Sequence, residues 1–290
     1  MNEASLVVEP VAVGPLLNAK RFVMVGDYYQ LNPIVKSGEA EKRGMGISLF
    51  RKLCEQHPYK VVILRKQYRM NDHIASLSNT IAYRGLIKHA TPEVANQVLN
   101  LKASLILATP LTIPWLKEIK LPERKVLFIN IDNLLNKTLQ KQLNSMRNKN
   151  YFEAAIVHAL LESFLCPPNQ NPIPNELGDS CRPRNMAIVT PFVEQQILLQ
   201  RKFQKFKVPV HLIDNIQNLQ KDILIISCIK HNKKCINLQS IRKIYTAFTH
   251  AKKKLILVGS MANLKEVDPL DLFIGYIRKK NWYIDINNAL

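Results

Sequence analysis

Two rhythms of apolar residues alternate along the chain. Short runs dominated by aliphatic residues span Arg21 to Val25, Lys60 to Leu64, Lys125 to Ile131, Asn185 to Thr190, Ile223 to Cys228 and Leu255 to Val258, a pattern that predicts buried strands. Between them, apolar positions recur at helical spacing over 47–54, 74–83, 151–164, 193–206 and 241–251. Pro10 and Pro15 allow only a brief helix before the first strand. Residues 88–124, with prolines at 92, 110, 114 and 122, keep no steady period and read as an irregular insert, and Cys166 to Arg184 reads as a loop. The tail from Asp268 predicts a terminal helix and a polar end. Strand and helix in alternation predict an α/β fold of parallel sheets with helices on both faces. Because a buried parallel strand needs neighbours on both sides, the run at Arg21 to Val25 is expected to belong to a sheet that residues before it cannot complete.

Charge narrows the class of partner. Lys and Arg number 41 against 22 Asp and Glu, a formal net charge of +19, which favours a polyanion, with nucleic acid ahead of an acidic membrane surface. The five cysteines (Cys54, Cys166, Cys181, Cys228 and Cys235) lack the close pairs of zinc or iron–sulfur sites, and their odd number argues against a disulfide framework. No apolar run of about 18 residues or charged-then-apolar leader is present.

The candidate chemistry sits in short motifs. Phe22 to Val25 empties into Gly26-Asp27-Tyr28-Tyr29-Gln30-Leu31-Asn32-Pro33, the strand-to-loop junction where α/β folds place reactive groups, although any core strand followed by a turn looks similar. The order is what discriminates. Asn2-Glu3-Ala4-Ser5, Gly26-Asp27-Tyr28-Tyr29-Gln30-Leu31, Ser37-Gly38-Glu39-Ala40, Gln67-Tyr68-Arg69-Met70, Thr190-Pro191-Phe192 with Gln195-Gln196, Gln217, and Ala247-Phe248-Thr249-His250-Ala251-Lys252 follow one another along the chain. This series resembles superfamily 1 helicases of the nonsense-mediated-decay type, nearest to the branch of eukaryotic DNA-replication helicase/nucleases.

The resemblance implies two RecA-like α/β domains, a partial first one over 1–66 and a nearly complete second over 67–290, with ATP between them and single-stranded DNA or RNA across the top. It makes Gln30 the γ-phosphate sensor, with Gly26 and Asp27 shaping its loop, and Arg69 a phosphate contact suited to a planar guanidinium. Glu3 takes the water-activating position, and Asn2 the position of the family's magnesium-binding Asp. Gln217 falls among the nucleotide-binding positions, Thr190, Pro191, Asn218 and Thr249 among the nucleic-acid positions, and His250 at the arginine finger. ATP and Mg²⁺ are the implied cofactors, and upstream helicase/nuclease segments or replication proteins the implied partners. The nucleus is the implied location, with the mitochondrion as the other.

The departures bear on activity. No Gly-Lys-Ser or Gly-Lys-Thr phosphate cradle occurs in the 290 residues. Asn2 lacks the charge that holds a metal. Leu212, Asn218 and Gln220 replace the family's Thr, Gly and acidic residue, and a largely neutral His250 does not replace an arginine finger. Lys252, Lys253 and Lys254 are expected to form a solvated or DNA-facing patch on a strand edge. The sequence therefore supports the C-terminal motor portion of an ATP-dependent DNA helicase/nuclease of replication and repair. The alternative is a catalytically inactive helicase-like module that binds nucleic acid or a partner, or a nonfunctional remnant.

Overall fold

A buried strand must hydrogen-bond along both edges, and that requirement decides which of the expected strands form. The computed structural model describes residues 1–101, 113–134, 149–165, 181–216, 219–228, 244–266 and 270–286. The chain divides into two compact units, Met1–Arg65 and Lys66–Leu290.

The larger unit is built on six parallel strands: β3 (Val126–Asn130), β4 (Met186–Thr190), β5 (Val210–Leu212), β6 (Lys221–Ser227), β7 (Ala251–Gly259) and β8 (Tyr283–Asp285), in the order β5-β4-β6-β7-β3-β8. A separate short parallel pair joins β1 (Lys66–Gln67) to β2 (Lys88–His89). Alternation along the strands divides the core in two. Phe128, Val189, Leu224, Ile226, Leu255 and Leu257 face one layer with Ile74, Leu77, Phe248, Phe273 and Ile277. Leu127, Ile129, Ile188, Ile225, Ile256 and Val258 face the other, with Ile119, Val157, Leu161, Leu199 and Phe203. Helices Asp72–Ser78, 244–248 and Leu270–Lys279 thus cover one face and helices Pro114–Lys120, Tyr151–Leu165 and Val193–Phe203 the other. This is the RecA-like arrangement of a parallel sheet buried on both sides.

The edge strand β5 is blunted from above. Gln196 and Gln200 each donate a side-chain N–H to Val210 O, at 3.0 and 3.3 Å, which occupies a carbonyl that could otherwise template a foreign strand.

Three expectations change. The segment 88–124 is partly regular, with β2, helix Pro92–Asn96 and helix Pro114–Lys120 among its described residues. The tail holds a helix and then β8, which pairs with β3. Lys252 to Lys254 do not lie on a sheet edge, because β7 runs between β6 and β3. Lys254 is fully buried, and its ammonium donates to Leu121 O at 3.0 Å and to Ile119 O, while Lys253 pairs with Asp222 at 3.0 Å. Alternation directs Lys254 into the packed layer, where it holds the C-terminal carbonyls of helix Pro114–Lys120. Burial pushes its pKa down to about 7, with Cys181 and Glu123 acting against that.

In the smaller unit the two expected strands are extended but form no ladder. Met1 N donates to Val23 O at 2.7 Å, Val25 N to Met1 O at 2.8 Å and Ala4 N to Val25 O at 2.9 Å, a strand-like contact on one edge. Val23 is 75% exposed and Val62 86%, so both runs keep apolar surface in water. The helix Glu9–Leu17 is longer than the prolines suggested. Pro10 sits in its first turn, where no N–H is needed, and Pro15 lies inside it.

Replacing Lys254 by Ala removes a buried donor from two carbonyls and leaves a cavity. Urea denaturation is expected to show a loss of about 2–4 kcal/mol, whereas Lys252→Ala, at a partly exposed position, should stay within about 0.5 kcal/mol.

Candidate functional site

In the larger unit the site is assembled by Gln67. Its Oε1 accepts from Arg69 N at 2.8 Å and Met70 N at 2.7 Å, and its Nε2 donates to Met70 O at 2.7 Å and His89 Nδ1 at 2.8 Å. All of its polar atoms are spent on folding the 67–70 turn, so Gln67 is scaffold for its neighbours. The turn is anchored inward by buried Met70 and outward it presents Tyr68, 72% exposed.

Residues 69–71 are then strapped along the chain that enters β7. Arg69 Nη1 donates to Thr249 O at 2.9 Å, Asn71 N to Lys252 O at 3.1 Å and Asn71 Nδ2 to Lys253 O at 2.8 Å. Asn71 also caps helix Asp72–Ser78, accepting from Ile74 N at 3.1 Å. Gln97 Nε2 donates to Arg69 O. Burial lowers the Arg69 pKa, against a smaller opposing effect of Tyr83, yet a guanidinium stays charged. The result is a partly desolvated cation with a fixed backbone and one N–H already committed.

His250 lies beside it but turns away. Its Nδ1 donates to Leu219 O at 2.6 Å, and its own carbonyl accepts from Lys221 N at 3.1 Å. Burial pushes its pKa down to about 4; the Leu219 bond opposes the shift and the Arg69 charge adds to it. Near neutral pH the imidazole is therefore an uncharged peg between two loops. Thr249 is also buried, and its hydroxyl donates to Thr246 O at 2.8 Å. Gln217 and Asn218 lie outside the described residues, although Leu219 next to them belongs to this cluster.

Among the described residues, the nucleic-acid positions do not form one patch. Thr249 is at the amino-terminal edge of the sheet, whereas Thr190 ends β4 and Pro191 follows it at the carboxyl-terminal edge. The paired length of β6 and β7 separates them, roughly 20 Å at about 3.3 Å per residue. Thr190 is fully buried, and its hydroxyl has no hydrogen-bond partner among the described residues. Beside it, Gln195 Oε1 accepts from Asn150 N at 2.8 Å and its Nε2 donates to Ser227 Oγ at 3.1 Å, while Ser227 donates to Glu153 Oε2 at 2.6 Å. This buried network was not anticipated. Its sequence signal is Asn150 followed three residues later by Glu153, a helix-capping pattern.

In the smaller unit the motif residues also converge. A Cβ on Gly26 would lie 2.9 Å from Ser5 N and 3.2 Å from Ala4 N, so only glycine lets the strand end approach the Asn2–Ser5 turn. Asp27 Oδ1 accepts from Tyr29 N at 3.0 Å, and Oδ2 from Gln30 Nε2 at 2.8 Å, holding Gln30 on its loop. Glu3 adopts left-handed backbone angles, φ 49° and ψ 38°, uncommon for a residue with a side chain. By donor chemistry, Arg69 fits an anionic phosphate, whereas the neutral amide of Asn2 is a poor ligand for a hard divalent cation.

A parallel sheet covered by helices on both faces, with an arginine turn strapped along the chain that enters β7, defines a RecA-like α/β domain. The chain belongs to the AAA domain family, whose sequence pattern matches residues 45–262. It is similar to the DNA replication ATP-dependent helicase/nuclease JHS1 of Arabidopsis thaliana, 36% identical over 99% of this chain and 20% of that protein. DNA2 of Saccharomyces cerevisiae is 32% identical over 97% of this chain and 18% of its own length, and human DNA2 31% over 99% and 27%. The chain thus spans about a quarter or less of the relatives it matches.

The buried imidazole makes stability depend on pH. The unfolded His250 takes up a proton near 6.5 and the folded one only near about 4. Its contribution is therefore complete above pH 6.5 and lost as pH falls to 4, by about 3 kcal/mol. Denaturation at stepped pH should show this loss. His250→Gln should remove most of it, leaving the slope from His73, His158 and His211, which burial also shifts downward.

Proposed function

We propose that the chain is the C-terminal motor portion of an ATP-dependent DNA helicase/nuclease, working in DNA replication and repair in the nucleus. The observation that carries this reading is the Arg69–Thr249 bond, which sets an arginine beside the 249–250 turn at the sheet edge. Arg69 is the phosphate contact, its fork geometry matching phosphate oxygens. Tyr68, exposed next to it, offers an aromatic face for a nucleobase. Gln30, held by Asp27, reports on the γ-phosphate, and Glu3 aligns water. Gln217 belongs with the nucleotide contacts, and Thr190, Pro191, Asn218 and Thr249 with the nucleic acid. ATP supplies the phosphoanhydride, and its loss changes what a phosphate-binding side chain such as Arg69 can hold.

A second reading, an inactive module that binds nucleic acid, is favoured by His250 being a buried neutral side chain at the finger position and by Asn2. Both readings expect no ATP turnover from the chain alone with Mg²⁺ and single-stranded DNA; DNA-stimulated hydrolysis that co-elutes with it would overturn this. A chimera separates the two. With the chain replacing the matching segment of the Arabidopsis relative, the motor reading expects slow DNA-stimulated hydrolysis that Arg69→Ala abolishes and His250→Arg raises by a factor on the order of 10³. A chimera inert in both forms selects the module.

A further inference from the structure

The motif residues account for little of the positive charge, and one segment outside them concentrates it. Helix Val193–Phe203 ends in Arg201-Lys202-Phe203 and continues through the turn Gln204–Phe206 to Lys207. Phe203 and Phe206 are buried, their rings 6.3 Å apart, whereas Arg201, Lys202, Lys205 and Lys207 are exposed. Lys207 takes left-handed angles, φ 55°, which ends the helix and sends the chain toward β5. Lys205 Nζ stands 4.7 Å from the centre of the Phe206 ring and 3.2 Å from Glu162 Oε1. Arg201, Lys202 and Lys207 have no ion pair among the described residues.

His158, on helix Tyr151–Leu165, lies under this cluster with its ring 5.4 Å from that of Phe206. Burial lowers its pKa, Glu162 opposes the shift, and Lys205 and Lys202 both add to it, so two lysines from successive turns bear on one point. Basic residues in a last helical turn ordinarily complement the helix dipole. Four cations in seven residues, with Glu162 their one ion-pair partner among the described residues, exceed that need.

We propose that Arg201, Lys202, Lys205 and Lys207 form a contact surface for the phosphate backbone of nucleic acid, separate from the Arg69 cluster and from Thr190. The surface suits phosphates better than an acidic protein. Its two aromatic residues are buried as a floor, so it presents charge without the exposed apolar anchors on which protein interfaces depend. It also offers no exposed ring for base stacking, so it reads backbone without sequence. The assignment rests on the nucleic-acid reading above.

The test is binding of a labelled oligothymidylate to the full chain across a salt series. Each phosphate contact contributes about 0.7 to the slope of log affinity against log salt for single strands. Arg201→Gln/Lys202→Gln/Lys205→Gln should therefore lower the slope by about 2, while a dispersed control, Lys117→Gln/Lys265→Gln/Lys279→Gln, changes it by less than half as much. Equal thermal unfolding of both variants and the parent confirms that folding is intact; should the triple variant unfold early, Lys202→Gln alone, expected to lower the slope by about 0.7, carries the test. An unchanged slope, a drop matched by the control, or tighter binding of polyglutamate than of the oligonucleotide overturns the proposal. Failure of the unaltered chain to bind oligonucleotide with any salt dependence overturns the nucleic-acid reading itself.

Discussion

Backbone pairing along parallel strands is the constraint on which the remaining structure depends. Each central strand of the order β5-β4-β6-β7-β3-β8 is hydrogen-bonded on both sides, so its residues can alternate freely between two apolar layers. That alternation explains what composition could not. Lys254 sits inside because its position in β7 faces a layer, and it is tolerated there because two carbonyls at a helix end need a donor. The runs at 22–25 and 61–64 are as apolar as β7, but without ladders on both edges they remain extended and exposed.

The Arg69 cluster inherits its geometry from the same pairing. Three bonds from residues 69–71 land on the carbonyls of 249, 252 and 253, and Leu255 is fixed by register against Leu224 and Val126. A one-residue slip of β7 would carry the Thr249 carbonyl away from the guanidinium and turn Lys254 out of its layer. Folding of the sheet and formation of the site are therefore one event.

Much of the sheet was legible in the sequence because Val126–Asn130, Met186–Thr190 and the apolar part of Lys221–Ser227 are aliphatic runs whose identity does not depend on what lies beside them. Val210–Leu212 and Tyr283–Asp285 were not, since three residues interrupted by His211 and ending in Asp285 carry no periodic signal and become strands only by pairing with β4 and β3. For the site, motif order located Arg69 and His250 but not the bonds that hold them. Gln67 entered only as the first residue of the Gln67-Tyr68-Arg69-Met70 motif and is turn scaffold. His250 occupies a catalytic position in the resemblance and is instead buried, its Nδ1–H donating to Leu219 O thirty-one residues away. The Asn150–Glu153–Ser227–Gln195 network joins three elements, the capped helix Tyr151–Leu165, β6 and helix Val193–Phe203, and only its first pair leaves a local trace.

Topology also decides where charge accumulates. Helices in this fold run antiparallel to the strands they connect, so their C-terminal turns gather near the amino-terminal edge of the sheet. Basic residues suit those turns because they face the negative ends of helix dipoles. Arg201 to Lys207 and Arg278 to Lys280 fall there for that reason, as does the strand entry that holds Arg69. The carboxyl-terminal edge collects acids at helix starts instead, with Glu153 and Asp132 bonded to Ser227 and Ser260. Strand direction thus sets basic helix ends and Arg69 at one edge of the sheet and Glu153 and Asp132 at the other. Thr190 lies at that other edge, fully buried and with no hydrogen-bond partner for its hydroxyl among the described residues.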